Sequence, residues 1–105
     1  MQIYKCNNCS KIHLEVGNIL IHFKTPENIS EYLGYLESID SGYHSAYNRT
    51  KGLSKDIYIP INGVPVHLAL TIEEFDLLKK TIRDYLSGKA GMMDFVKMDL
   101  KFPVN

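Results

Sequence analysis

The stretch that decides the fold is Tyr4–Phe23, YKCNNCSKIHLEVGNILIHF. It holds both cysteines of the chain, Cys6 and Cys9, and two of its four histidines, His13 and His22. From Lys11 to Val16 the residues alternate: Ile12, Leu14 and Val16 face one way, Lys11, His13 and Glu15 the other. Period-2 alternation is the mark of a half-buried strand. Gly17-Asn18 is a two-residue hairpin connection, and Ile19, Ile21 and Phe23 carry the apolar face back. That turn fixes the register. Val16 opposes Ile19, Leu14 opposes Ile21, and His13 opposes His22 on a rung where side chains lie closest.

The register places two imidazoles side by side on the face away from the core. Cys6 and Cys9 enter just ahead of them. A Cys-x2-Cys pair with two adjacent imidazoles is a ligand set for tetrahedral zinc, so Cys6, Cys9, His13 and His22 form the candidate metal site, with Zn as its cofactor. Two other readings stand beside it. The thiols can be reduced and metal-free, because a single Cys-x2-Cys lacks the second knuckle of a zinc ribbon. Ser10, moreover, follows Cys9 where glycine is common. They can also form a redox pair, although a thioredoxin-like pair sits at a helix N-terminus rather than before a strand.

Working outward, Thr25-Pro26-Glu27 is a helix start: a capping hydroxyl, a proline at the first helical position, and an acid at the positive end of the dipole. Ile29, Tyr32, Leu33, Leu36 and Ile39 recur at helical spacing, which predicts a helix to about Asp40. Ser41 to Ser54 shows no period and holds two glycines, so it is expected to be a long loop. Its residues Tyr43, His44, Tyr47, Asn48 and Arg49 combine stacking groups with planar hydrogen bonding, and make it the candidate ligand-binding loop. A plain surface connector is the competing reading.

Ile57, Ile59 and Ile61 mark another strand, Asn62-Gly63 a type I′ turn, and Val64, Val66, Leu68 and Leu70 the return. This register sets Tyr58 opposite His67 and Pro60 opposite Pro65. The prolines lack N–H donors, so the hairpin tip is expected at an edge or projecting. Thr71-Ile72-Glu73-Glu74 is a capping box. Ile72, Phe75, Leu78, Ile82, Tyr85 and Leu86 then outline a second helix ending near Gly88. In the tail, Val96, Met98, Leu100, Phe102 and Val104 alternate with polar residues and predict a final strand; Met92, Phe95, Val96 and Leu100 would instead line a helix.

The halves share a plan. One constant shift sets Ile12 on Ile57, Leu14 on Ile59, Ile19 on Val64 and Phe23 on Leu68, an internal ββα repeat at the level of architecture. Two amphipathic helices can cover two hairpins. The expected fold is a single α+β domain over residues 1–105: an antiparallel sheet of two hairpins with two helices on one face, ββαββα, and an extra C-terminal strand.

Composition is that of an ordinary globular chain, 45% hydrophobic and 23% charged. Twelve basic and twelve acidic residues balance, which argues against nucleic acid as a partner. No apolar run reaches the roughly 20 residues that span a bilayer, and the start lacks a signal-peptide pattern. A cytoplasmic location with reduced thiols is therefore expected, and no membrane association. The Asn-x-Ser/Thr triplets at Asn8, Asn28 and Asn48 then carry no glycan.

No GxSxG, HExxH, Walker or GxGxxG motif occurs. Glu73-Glu74 diverge on a helix, and Ser10 with Cys9 and His13 has no orienting acid. The expectation is a non-catalytic binding module stabilised by zinc, with a protein partner or self-association. The alternatives are a thiol-redox protein or small enzyme using Cys6 and Cys9, and an assembly protein that oligomerises through its apolar tail by strand addition.

The combination of Cys6-x2-Cys9, IHLEVGNILIHF and an acidic-capped helix ending YLESI resembles a family of small uncharacterised bacterial proteins. The resemblance covers roughly the first forty residues. It implies a bacterial, cytoplasmic origin and no particular activity.

Overall fold

The computed structural model describes residues 1–6, 10–61 and 63–88. It is α+β with antiparallel sheets and three helices. The strands β1 (Gln2–Lys5), β2 (Ile12–Val16) and β3 (Ile19–Phe23) come first. Then follow α1 (Pro26–Glu37), α2 (Ser41–Thr50), β4 (Ile57–Pro60), β5 (His67–Leu70) and α3 (Ile72–Leu86).

The first hairpin has the register its turn dictates: Val16 pairs with Ile19, Leu14 with Ile21, and His13 with His22. Gly17 takes φ +63°, while Asn18 stays out of the positive region. That is the pattern of a turn whose first central residue must be glycine. A strand ahead of it was not expected. Gln2–Lys5 pairs antiparallel with β2, setting Tyr4 opposite His13 and Lys5 opposite Ile12. The sheet order is β1-β2-β3, and β2 is central.

The second hairpin departs from expectation. Tyr58 opposes Ala69 rather than His67, and Pro60 opposes His67 rather than Pro65. The Ile61 N–H donates to the Val66 carbonyl at 2.9 Å, so Pro65 falls within the connection between them. A residue with no N–H cannot donate to a ladder, and the loop takes it. The slip of two residues keeps Leu68 and Leu70 on the buried face, because side chains alternate with period two. The repeat shift maps the pair Ile12–Phe23 onto Ile57–Leu68, yet Ile57 pairs with Leu70. Among the described residues the two hairpins lie in two sheets, β1-β2-β3 and β4-β5.

Helix α1 starts as expected: Thr25 caps it by accepting from the Asn28 N–H. It stops at Glu37, earlier than the apolar period suggested, where Ser38 caps it with its hydroxyl on the Tyr35 carbonyl at 2.6 Å. Asp40 then opens α2 by accepting from the Tyr43 N–H at 3.0 Å. Ser41–Thr50 is thus a helix and not the loop its lack of period implied. In α3 the capping box forms in both directions between Thr71 and Glu74.

One core serves both sheets. Ile3, Leu14, Ile29, Leu36, Ile57, Ile59, Phe75, Leu78 and Ile82 are all fully buried. Helices α1 and α3 pack on each other, α1 over β3, α3 over both β1 and β5, and α2 against β4. Burying that apolar area is the main force holding the layers together. No helix among the described residues is long and apolar enough to cross a membrane. The expected C-terminal strand lies outside the described residues.

Candidate functional site

The outward face of β1-β2-β3 carries the sequence-predicted histidines. His13 is on the central strand with Tyr4 on one side and His22 on the other. The His13 and His22 rings meet edge to face at 4.6 Å between centroids, and Tyr4 lies 5.4 Å from His13. Flanked in this way, His13 is only 8% exposed, although its face points away from the core. Burial first, then the neighbouring His22 and Lys11, hold its pKa below the usual histidine value. The ring therefore favours the neutral form, in which imidazole ligates metal. Burial, with Glu15 nearby, pushes the Tyr4 phenol up.

Cys6 stands at the end of β1, two residues beyond Tyr4 and so on the same face. Its N–H donates to the Lys11 carbonyl at 2.8 Å, closing the β1–β2 hairpin. Cys6 is disulfide-bonded, and the chain's one other cysteine is Cys9, which lies outside the described residues. Ser10 re-enters β2 with φ +54°, the left-handed backbone that favours glycine. Among the described residues no three His, Cys, Asp or Glu side chains are arranged to hold a metal ion. The hairpins thus bring His13 and His22 together and set Cys6 on their face. Tyr4 is the member that sequence reasoning missed; the short β-prone run Gln2-Ile3-Tyr4-Lys5 was its signal.

The second candidate group separates into two. Tyr43, His44 and Tyr47 are solvent-facing on α2. Tyr43 and Tyr47 stack with 6.2 Å between centroids, His44 meets Tyr43 edge-on at 5.5 Å, and the Lys51 ammonium lies 5.4 Å from the Tyr47 ring centroid. Asn48 is buried on the inward face, and Arg49, itself largely exposed, reaches back to the same partner, Asp56. Asn48 Nδ2 donates to the Asp56 carbonyl at 2.7 Å, and Arg49 Nε to the Asp56 carboxylate at 3.2 Å.

Asp56, unmarked by any motif, is the polar centre of this region. Its carboxylate also accepts from the Ser45 hydroxyl at 2.8 Å and from the Ile72 N–H at 3.1 Å. The Ser45 bond, then the Ile72 bond, and lastly Arg49 hold its pKa below the ordinary carboxylate value, against some opposing desolvation. One side chain therefore ties α2 and the first turn of α3 to the approach of β4.

Compared with known proteins, the chain belongs to a family of unknown function, DUF6686, whose family model matches residues 2–105. The match covers nearly the whole chain, consistent with a small uncharacterised family. No curated protein and no solved structure matches it.

Proposed function

We propose that this chain is a non-catalytic binding module whose N-terminal hairpins carry a zinc site made of Cys6, Cys9, His13 and His22. The observation that supports it is the His13–His22 pair at 4.6 Å on the sheet face that Cys6 shares. The lowered pKa of His13 favours the ligating form of the ring. The left-handed backbone at Ser10 gives the chain after Cys9 the conformation for which glycine is common behind a metal knuckle. Zinc binds thiolates, so the site needs the cysteines reduced. In this reading zinc is structural: it pins the β1–β2 hairpin to β3 and leaves the outer face for a partner.

The disulfide at Cys6 favours a second reading, in which the same cysteines work as a thiol–disulfide pair without metal. Zinc content separates the two. Protein purified with reductant and without chelator is expected to hold about one zinc per chain. Cys6→Ser and His22→Ala should each lower that content. Less than about a tenth of an equivalent in the reduced wild type overturns the zinc reading. A reduced chain that is metal-free and exchanges readily with a dithiol reporter supports the redox reading instead.

A further inference from the structure

Helix α2 is built inside out. Its buried positions are Ser45 and Asn48, while Tyr43 and Tyr47 stand in solvent at 62% and 49% exposure. A helix that only packs on a core turns its large apolar groups inward and its polar groups outward. Here hydrogen bonds to Asp56 satisfy the inward face, so the tyrosines are not needed to seat the helix. A ring left in water gains none of the free energy that burial supplies. Tyrosine is also a poorer helix former than the residues common on solvated faces.

The outward residues are arranged rather than scattered. Tyr43, Tyr47 and Lys51 follow one another at i, i+4 spacing and form one row along the helix. The tyrosine rings are nearly parallel, with 17° between their planes, and the Lys51 ammonium lies 5.4 Å from the Tyr47 centroid. The adjacent row, Ala46 and Thr50, is exposed and short, so a tall row runs beside a low one. At the helix end Gly52 takes φ +74°, and the Leu53 N–H donates to the Asn48 carbonyl at 3.1 Å. That closure fixes the backbone at Lys51. A surface ordered before binding loses little entropy on binding.

The charge of the row says what would lie on it. From Ser41 to Lys55 the sequence holds His44, Arg49, Lys51 and Lys55 and no Asp or Glu, in a chain that is neutral overall. Arg49 bonds Asp56 and Lys55 bridges to Glu74, whereas Lys51 stands at the aromatic row. The complement of that row is a carboxylate next to an apolar group. A nucleic-acid strand also stacks on aromatic rings, but it brings a phosphate with every base, a density that one lysine beside two rings does not match. We propose that the row of Tyr43, Tyr47 and Lys51 docks an acidic peptide segment of a partner protein. An aromatic or proline side chain of that segment lies against the rings, and a carboxylate meets Lys51. The row spans about 12 Å, which about four extended residues cover, so the two groups stand within about four residues of each other. The surface is on a different element from the cysteine and histidine site, so it goes beyond the zinc reading and neither depends on the other.

A random library of short peptides displayed on phage, selected against the immobilised full-length chain, tests this. Enriched peptides are expected to carry Asp or Glu within about four residues of an aromatic residue or proline. Their binding should fall about tenfold or more with Tyr47→Ala and with Lys51→Glu, and survive Lys51→Arg. No enrichment, enriched peptides without acids, or equal binding by Tyr47→Ala overturns the proposal. Nuclear magnetic resonance on the wild type needs no variant. The Tyr43 and Tyr47 ring signals should broaden with a soluble paramagnetic agent in the free chain, and should shift when an enriched peptide is added. Rings that stay sharp are already covered, and rings that do not shift are not the site; either result overturns the proposal. A dimer in light scattering that Tyr47→Ala dissociates gives the row to a second copy. Single-stranded DNA that binds more tightly than the peptides, and is lost with the same variants, gives it to nucleic acid. Both outcomes overturn the proposal as well.

Discussion

Gly17 sets the register of the front hairpin, and through it the meeting of His13 and His22. Its φ of +63° is the reason glycine stands there, for a Cβ at that position would meet nothing within 4 Å. This part of the candidate site was legible in the sequence because a two-residue turn and a period of two are local rules. Asp56 was not legible. Its partners Ser45, Arg49 and Ile72 are distant in sequence, and no local pattern reports a carboxylate that three elements share. The pH dependence follows from its lowered pKa. A depressed carboxylate stabilises the fold above its unfolded value and loses that contribution as pH falls through the folded one. Asp56→Asn should therefore lower the melting temperature at pH 6 by several degrees, and the gap to wild type should narrow as the pH falls below 3.8, its ordinary value. Thermal melts at pH 6 and pH 3 measure the gap; an equal gap at both values removes Asp56 as the linked group.

Among elements, α3 was read correctly from its capping box and its apolar stripe. Thr71→Ala removes the side chain that accepts from the Glu74 N–H, and should cost about 1 kcal/mol in urea denaturation. Retention of wild-type stability would mean that the Glu74 side chain alone caps the helix. Helix α2 escaped the same reading for a definite reason. Its buried positions are Ser45 and Asn48, polar residues that pay for burial by bonding Asp56, so its inward face has no hydrophobic period. Sequence periodicity detects helices that bury apolar stripes, and α2 buries a polar one. The second hairpin was found as an element but misread in register, because Asn-Gly marks a turn without excluding a longer connection.

At the scale of the molecule, α1 and α3 covering an apolar sheet face was legible, since amphipathic strands and helices leave few other ways to close a core. The arrangement of the described strands in two sheets was not, for it involves β1, a strand of four residues too short to show a period. Hydropathy says which face is buried; it does not say which edges meet.

Tyr32 turns this packing into something that can be watched. It sits on α1 against Phe23, with ring centroids 5.5 Å apart, and its hydroxyl is buried with no hydrogen-bond partner among the described residues. Burial, with Tyr35 beside it, pushes its pKa up to about 12 from an ordinary 10.0. The neutral phenol is the form the interior accepts, so ionisation works against the fold once alkali carries the solution past 10.0. A spectrophotometric titration should therefore show a late rise in phenolate absorbance that coincides with the loss of helical circular dichroism. Tyr32→Phe should abolish that late step, and its persistence in the variant would assign the signal to another ring. With no tryptophan in the chain, this one phenol serves as a built-in optical gauge of whether α1 is still seated on its sheet.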